Sequence, residues 1–77
     1  MDTKDRIKKV FVDLLRLKPG ELKEGVKLYD SIGVDSTEMV EAVIALEKEF
    51  RVKLSLKEIT KFSTLEDIEK VISAKSA

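Results

Sequence analysis

The sequence predicts an all-α fold, a four-helix bundle with a short third helix and a long loop between helices one and two. Three segments repeat apolar residues at spacings of three and four, as helices with one buried face do. Pro19 and Gly20 end the first of these segments. The alternation typical of a strand occurs only briefly, at 51–54. With 77 residues and no internal repeat, the chain is predicted to form a single domain over 1–77.

The first predicted helix begins at Asp2 or Thr3 and ends near Leu17. Its inward positions are Ile7, Val10, Phe11, Leu14, Leu15 and Leu17. Pro19 disfavours helical geometry at the residue before it, so a long loop is predicted over residues 18–34. Loops of this length usually have a function or are anchored to the core. The predicted anchors are Val26, Leu28, Tyr29 and Ile32.

The second predicted helix, from about Ser36 to Phe50, has two rows of apolar residues. The inward row is Met39, Val43, Leu46 and Phe50. Val40 and Ile44 form a flanking row that widens the apolar face. Two interpretations stay open for the flanking row: additional core, or an edge that faces a partner.

Two capping patterns predict the remaining helices. Ser55 with Glu58 three residues later resembles a capping box and predicts a short third helix at about 56–61. Thr64 and Asp67 open the last helix in the same way. Its inward residues are Leu65, Ile68, Val71 and Ile72. The tail, residues 73–77, is predicted to fray.

The composition excludes several kinds of chemistry. The chain has no Cys and no His, which removes disulfides, thiolate nucleophiles, imidazole catalysis and the usual zinc sites. The sequence also gives no sign of a Lys held beside Ser36 to activate its hydroxyl, so we expect no enzyme activity. Because Cys and His are absent, we expect no metal site either. No apolar run approaches the roughly 20 residues of a membrane span, and we expect that the N-terminus does not act as a signal peptide. We expect a cytoplasmic monomer.

The charge is unevenly spread along a chain whose net charge is zero. Residues 1–27 carry a net charge of +3 and residues 28–77 a net charge of −3. Between Asp30 and Glu49, six acids are opposed only by Lys48, a net charge of −5. Such a field favours a basic partner and disfavours nucleic acid. The alternative interpretation is a solvated helix face without a partner.

The most informative stretch is Gly33-Val34-Asp35-Ser36. Gly33 permits a sharp turn, and Asp35 is a good N-cap, with Glu38 placed as the other half of a capping box. Ser36 is then in the first turn of a helix, with its hydroxyl near solvent. Because that turn has unpaired N–H groups and the positive end of the helix dipole, a phosphate is stabilised there. Ser36 is therefore a candidate site for a phosphate-linked group.

These residues resemble the acyl carrier protein family over nearly the whole chain. The stretch from Leu28 to Ser36 resembles the family's loop and its Asp-Ser-Leu attachment motif. The run Ala45-Leu46-Glu47-Lys48-Glu49-Phe50 is similar to the end of its recognition helix. The resemblance implies that a phosphopantetheinyl transferase attaches 4′-phosphopantetheine from coenzyme A to Ser36. The thiol of that arm then carries acyl groups as thioesters between enzymes of fatty acid, lipid or polyketide-type biosynthesis.

The resemblance also implies roles for other residues. Asp35 and Gly33 belong to the cofactor site: Asp35 caps the helix and is recognised by the transferase, and Gly33 meets a backbone requirement. The implied partner surface, which would meet basic docking patches on acyl-transfer and synthase enzymes, is Thr37, Val40, Glu41, Ile44 and Glu47. The acyl-pocket candidates, residues of a core that can part around an acyl chain, are Leu46, Leu54, Ile59 and Phe62.

Three departures from the family pattern point to a specialised carrier with its own partners. Thr37 stands where the residue after the serine is usually Leu. The chain is neutral, whereas carriers of primary fatty acid synthesis are usually very acidic. Phe62 is larger than the aliphatic residue common at that position, which reduces the space for a long chain.

Two alternatives share the same residues. An aminoacyl or peptidyl carrier would use the same arm with a different cargo. An unmodified helical interaction module would use the acidic helix for docking, with Ser36 only as a helix-start residue. Modification by a transferase separates the second alternative from a carrier, and the identity of the native cargo separates the first.

Overall fold

The computed structural model describes residues 2–18 and 20–76, which form four helices. The helices are α1 (Thr3–Leu15), α2 (Leu28–Ile32), α3 (Ser36–Phe50) and α4 (Leu65–Ser76). No strand occurs among these residues. The predicted all-α fold with four helices and a long loop after the first helix is confirmed.

The ends of α1 are set by a side-chain cap and a left-handed residue. The Asp2 carboxylate accepts a hydrogen bond from the Asp5 N–H at 2.8 Å, which confirms the predicted start. The helix ends two residues earlier than predicted, because Arg16 adopts a left-handed conformation with φ 54°. Pro19, the predicted stop signal, lies outside the described residues.

One hydrophobic core joins the three longer helices, and α1 packs on both α3 and α4. The buried residues of the helices are Ile7 and Phe11 of α1, Leu28 of α2, Met39, Ala42, Val43 and Leu46 of α3, and Leu65, Ile68 and Ile72 of α4. The inward rows predicted for the long helices are thus largely confirmed. Leu14 is an exception, since 37% of it is exposed.

The short helix is the second in the chain, inside the loop predicted for 18–34. Leu28 is buried as predicted, and its N–H donates to the Ser63 carbonyl at 2.9 Å. The Tyr29 N–H donates to the Lys61 carbonyl at 2.7 Å, although half of Tyr29 is exposed. Backbone hydrogen bonds to a distant segment therefore stabilise this five-residue helix.

The short helix predicted at 56–61 is not formed, and this part of the prediction is wrong. The segment makes one turn, in which the Ile59 N–H donates to the Ser55 carbonyl at 3.2 Å. Beyond that turn, side chains take the backbone donors: Ser63 Oγ accepts from the Thr60 N–H at 3.0 Å, and Thr60 Oγ1 accepts from the Phe62 N–H at 3.2 Å. Such local bonds compete with helix formation.

The start of α4 has the predicted reciprocal cap. Thr64 Oγ1 accepts from the Asp67 N–H at 3.1 Å, and the Asp67 carboxylate accepts from the Thr64 N–H at 3.0 Å. The helix continues to Ser76, so residues 73–76 are helical in the structure. The fraying predicted for 73–77 concerns their dynamics and stays a prediction. Ala77 lies outside the described residues.

Candidate functional site

Ser36 is the first residue of α3 and its side chain is exposed. The Asp35 carboxylate accepts from the Glu38 N–H at 2.8 Å, and the Glu38 carboxylate accepts from the Asp35 N–H at 3.0 Å. This is the predicted capping box, which makes Asp35 the N-cap and Ser36 the first residue of the helix. The serine hydroxyl is thus presented to solvent at a rigid helix start.

Gly33 and Val34 set the approach of the chain to Ser36. Gly33 ends α2 with φ 62°, a conformation that glycine adopts at no steric cost, and its N–H donates to the Tyr29 carbonyl at 3.0 Å. Val34 is buried and anchors the turn to the core. The turn is therefore held from both sides while the serine points outward.

A surface groove of about 320 Å³ begins at Ser36. One wall is the first part of α3, and the other is the segment that follows Ser55. The lining residues are Ser36, Met39, Val40, Leu56, Ile59, Thr60, Lys61 and Phe62. The volume is at the small end of the range for ligand pockets, about 300–1,000 Å³. A mostly apolar ligand attached to the serine could lie in it.

The structure separates the four acyl-pocket candidates. Ile59 is fully buried and lines the groove, whereas Leu46 is fully buried elsewhere in the core. Leu54 is half-buried and does not line the groove. Phe62, expected in the core, is 55% exposed, which corrects that expectation. Only two of the four candidates therefore share a cavity with Ser36.

Phe62 belongs to an aromatic cluster on the surface, which Tyr29 and Lys61 complete. Its ring centroid lies 5.9 Å from that of Tyr29, with the ring planes tilted by 51°. The Lys61 ammonium lies 5.2 Å from the Tyr29 centroid and 5.5 Å from the Phe62 centroid, within the range of cation–π attraction. The sequence pattern gave no signal for this cluster, since it depends on the tertiary contact between α2 and residues 61–63.

The predicted partner surface is mostly exposed. Thr37 and Glu41 are exposed, and so are Val40 (39%) and Ile44 (47%). The flanking row of α3 therefore faces solvent, and the interpretation of that row as additional core is wrong.

Glu47, the other acid assigned to this surface, has a structural contact. It is half-buried, and its carboxylate accepts a hydrogen bond from the Leu54 N–H at 2.9 Å. Because that bond joins α3 to the segment that follows it, Glu47 is less available to a partner than Glu41.

Among the residues that the structure describes, no cluster of three or more His, Cys, Asp or Glu side chains could hold a metal ion. The side chain nearest in the chain, Asp35, uses its carboxylate to cap α3. An exposed hydroxyl at a capped helix start does fit a phosphodiester, because the helix dipole and first-turn N–H groups favour an anion there.

Comparisons with known proteins identify the family of the chain. The family described as "Phosphopantetheine attachment site" matches residues 5–72. An acyl carrier protein of Wolinella succinogenes is 38% identical over 68 residues, which cover 88% of this chain and 90% of the relative. An acyl carrier protein of Zymomonas mobilis is 36% identical over 66 residues, which cover 86% of this chain and 85% of the relative.

The chain is a phosphopantetheine-dependent carrier, not an enzyme. It belongs to the acyl carrier protein family, and its cofactor is covalently attached 4′-phosphopantetheine. A carrier of this kind interacts with a phosphopantetheinyl transferase and with synthase enzymes. None of the helices in the part of the chain that the structure describes is long and apolar enough to cross a membrane.

Proposed function

We propose that Ser36 is the attachment residue, and that the chain carries acyl groups as thioesters in fatty acid, lipid or polyketide-type biosynthesis. The observation that supports this most directly is the exposed Ser36 hydroxyl at the capped start of α3, beside an apolar groove. The cofactor supplies the thiol that a chain without Cys lacks.

The chain's own residues hold and present the arm. Asp35 and Glu38 keep the helix start in place, and Gly33 provides the left-handed turn before it. The arm is a tether, which keeps the cargo at high effective concentration near a docked enzyme. Thr37, Val40, Glu41 and Ile44 are the proposed contact surface, and Asp35 is the proposed contact of the transferase. We further propose that the chain is a single domain over 1–77 and acts as a cytoplasmic monomer.

The attachment residue is tested by mapping the modification. The protein is incubated with coenzyme A, magnesium and a broad-specificity phosphopantetheinyl transferase, and the modified peptide is identified by mass spectrometry. We expect an adduct on wild type and none on Ser36→Ala. Ser73→Ala is the matched control, because it removes an exposed serine hydroxyl in α4, outside the proposed site, and should still be modified.

Two results would contradict the proposal. An adduct that persists in Ser36→Ala would place the arm on another residue. A wild-type chain that no transferase modifies would favour the unmodified interaction module. Once attachment is established, the loaded protein is isolated from its native source and its cargo is identified. That cargo distinguishes an acyl carrier from an aminoacyl or peptidyl carrier.

A further inference from the structure

The two segments that provide the walls of the groove beside Ser36 carry opposite net charges, although Lys61 is the one charged residue that lines the groove itself. On the α3 side, Asp35 and Glu41 are exposed, in a stretch where residues 30–49 have a net charge of −5. The other wall belongs to residues 51–64, whose four basic residues and one acid give a net charge of +3. The basic residues are Arg51, Lys53, Lys57 and Lys61.

The one acid of this basic segment is already neutralised within the fold. The Lys75 ammonium lies 3.0 Å from one oxygen of Glu58, and the other oxygen accepts from the Ser55 N–H at 3.0 Å. Among residues 2–18 and 20–76, the four basic residues of the segment make no ion pair. Arg51, Lys53 and Lys57 are exposed, whereas Lys61 is half-buried with its ammonium beside the Tyr29 and Phe62 rings.

The basic residues of α1 differ, because each of them makes an ion pair with an acidic residue of the same chain. Lys4 and Lys8 pair with Glu24, Arg6 pairs with Glu49, and Lys9 pairs with Asp13. The positive charge of α1 is thus compensated by ion pairs within the protein. A docking surface on α1 for an acidic partner therefore has less support than one on the segment at 51–64.

Apolar side chains separate the two charged walls. Val40 stands on the acidic side, and Leu56 (49% exposed) and Phe62 (55% exposed) stand on the basic side. Lys61, which lines the groove, places its ammonium against the Phe62 ring. Exposed apolar side chains between charged rims are typical of a protein interaction surface.

We propose that this surface docks a partner protein that carries both charges itself. The partner presents a basic patch to α3, an acidic patch to residues 51–61, and an apolar side chain to the groove between them. A partner with basic groups alone would meet repulsion from Lys57 and Lys61. This inference rests on the proposed function, because it concerns enzymes that approach the arm on Ser36.

The test uses peptides tethered through the arm, so that weak docking becomes intramolecular. Coenzyme A is joined through its thiol to the centre of short peptides that share an apolar central residue. One peptide has a Lys block on one side and a Glu block on the other, and a second has Lys on both sides. A transferase attaches each peptide conjugate to the chain, and mass spectrometry confirms the loading. Each peptide carries a spin label, which broadens the amide NMR signals of the residues that the docked peptide lies beside.

We expect the mixed peptide to dock with a bound-to-free ratio roughly threefold above that of the all-Lys peptide at low salt, and the preference to shrink at high salt. Lys57→Glu with Lys61→Glu should reverse the preference. Lys18→Glu with Lys23→Glu, which makes the same change in net charge within the loop after α1, should leave it intact.

Three outcomes would overturn the inference. The all-Lys peptide could dock as well as the mixed one on wild type, neither peptide could dock, or the Lys18/Lys23 set could reverse the preference. These outcomes would leave the proposed function standing, because loading of Ser36 is established first. A failure of loading would instead contradict the proposed function itself.

Discussion

At the scale of single residues, the three phenylalanines have three different environments. Phe11 is fully buried between the helices. Phe50 is half-buried, and the Arg6 guanidinium lies 4.3 Å from its ring centroid while also pairing with Glu49. Phe62 is mostly exposed at the groove. The same side chain should therefore contribute very differently to stability at these positions.

We expect Phe11→Ala to lower the free energy of unfolding by about 3–5 kcal/mol, because it removes a fully buried ring and leaves a cavity. Phe62→Ala should lower it by roughly 1 kcal/mol or less, because it removes only contacts with Tyr29 and Lys61 at the surface. Phe50→Ala should fall between them. Urea unfolding followed by circular dichroism measures all three. Equal losses for Phe11→Ala and Phe62→Ala would contradict the packing described for the core.

The burial of Phe11 could be predicted from the sequence, and the exposure of Phe62 could not. Phe11 occurs in a repeat of three and four residues, which defines a helix face without reference to the rest of the molecule. Phe62 occurs in a segment without such a repeat. Its position depends on the backbone bonds that join residues 61 and 63 to α2, and on the Tyr29 ring. Contacts between distant segments leave no periodic signal.

At the scale of elements, the helix predicted from Ser36 to Phe50 is confirmed as α3. Its capping box and its row of apolar residues both indicate a helix over the same residues. The segment around 56–61 shows the limit of a capping pattern. Ser55 and Glu58 do interact, since the Ser55 N–H donates to the Glu58 carboxylate, but the turn they start is not continued. A capping pattern can start a helix. The helix continues only where the following backbone N–H groups are not already bonded to side chains.

The two acids predicted to lie on the docking face of α3 should respond differently to charge reversal. Glu41→Lys should leave stability nearly unchanged, because the side chain is exposed. Glu47→Lys should cost about 1–3 kcal/mol, because the half-buried Leu54 N–H loses its acceptor. Urea midpoints test this difference.

Glu41→Lys should also separate docking from folding once the arm is loaded, because its effect on stability is small. Glu41→Lys is expected to slow acyl transfer to a cognate synthase at low salt, with a smaller effect at high salt. Lys8→Glu with Lys9→Glu is the comparison on α1. If that α1 pair slowed transfer and Glu41→Lys did not, the proposed docking face on α3 would be wrong.

At the scale of the whole molecule, a network of ion pairs and backbone bonds holds the long loop to the helices. The Lys4 ammonium lies 2.8 Å from Glu24 in the loop and 3.1 Å from Glu66 in α4. The Glu66 carboxylate also accepts from the Gly25 N–H at 2.8 Å. These contacts hold the loop against α1 and α4. They could not be predicted from the sequence, because the residues that form them are far apart in the chain.

This network should make stability depend on pH. The hydrogen bond from Lys4 lowers the pKa of Glu24 below its ordinary value of 4.5. The hydrogen bond from the Gly25 N–H, with a contribution from Lys4, lowers the pKa of Glu66 in the same way. A lowered pKa in the folded state means that the unfolded chain binds more protons near pH 4.5. The stabilisation is therefore present above pH 4.5 and is lost as the pH falls through the lowered pKa values.

Lys4→Met tests this origin of the acid sensitivity. We expect wild type to show a nearly constant urea midpoint from about pH 7 to 5 and a fall below the ordinary pKa, in line with the linkage argument. Lys4→Met should have a lower midpoint at neutral pH and a shallower fall below it, because Glu24 loses its strongest partner. Some slope should remain, since Lys75 lowers the pKa of Glu58 independently. Lys23→Met, a change at an exposed lysine of the same loop, should keep the wild-type profile. An acid slope in Lys4→Met as steep as that of wild type would show that this network does not produce the pH dependence.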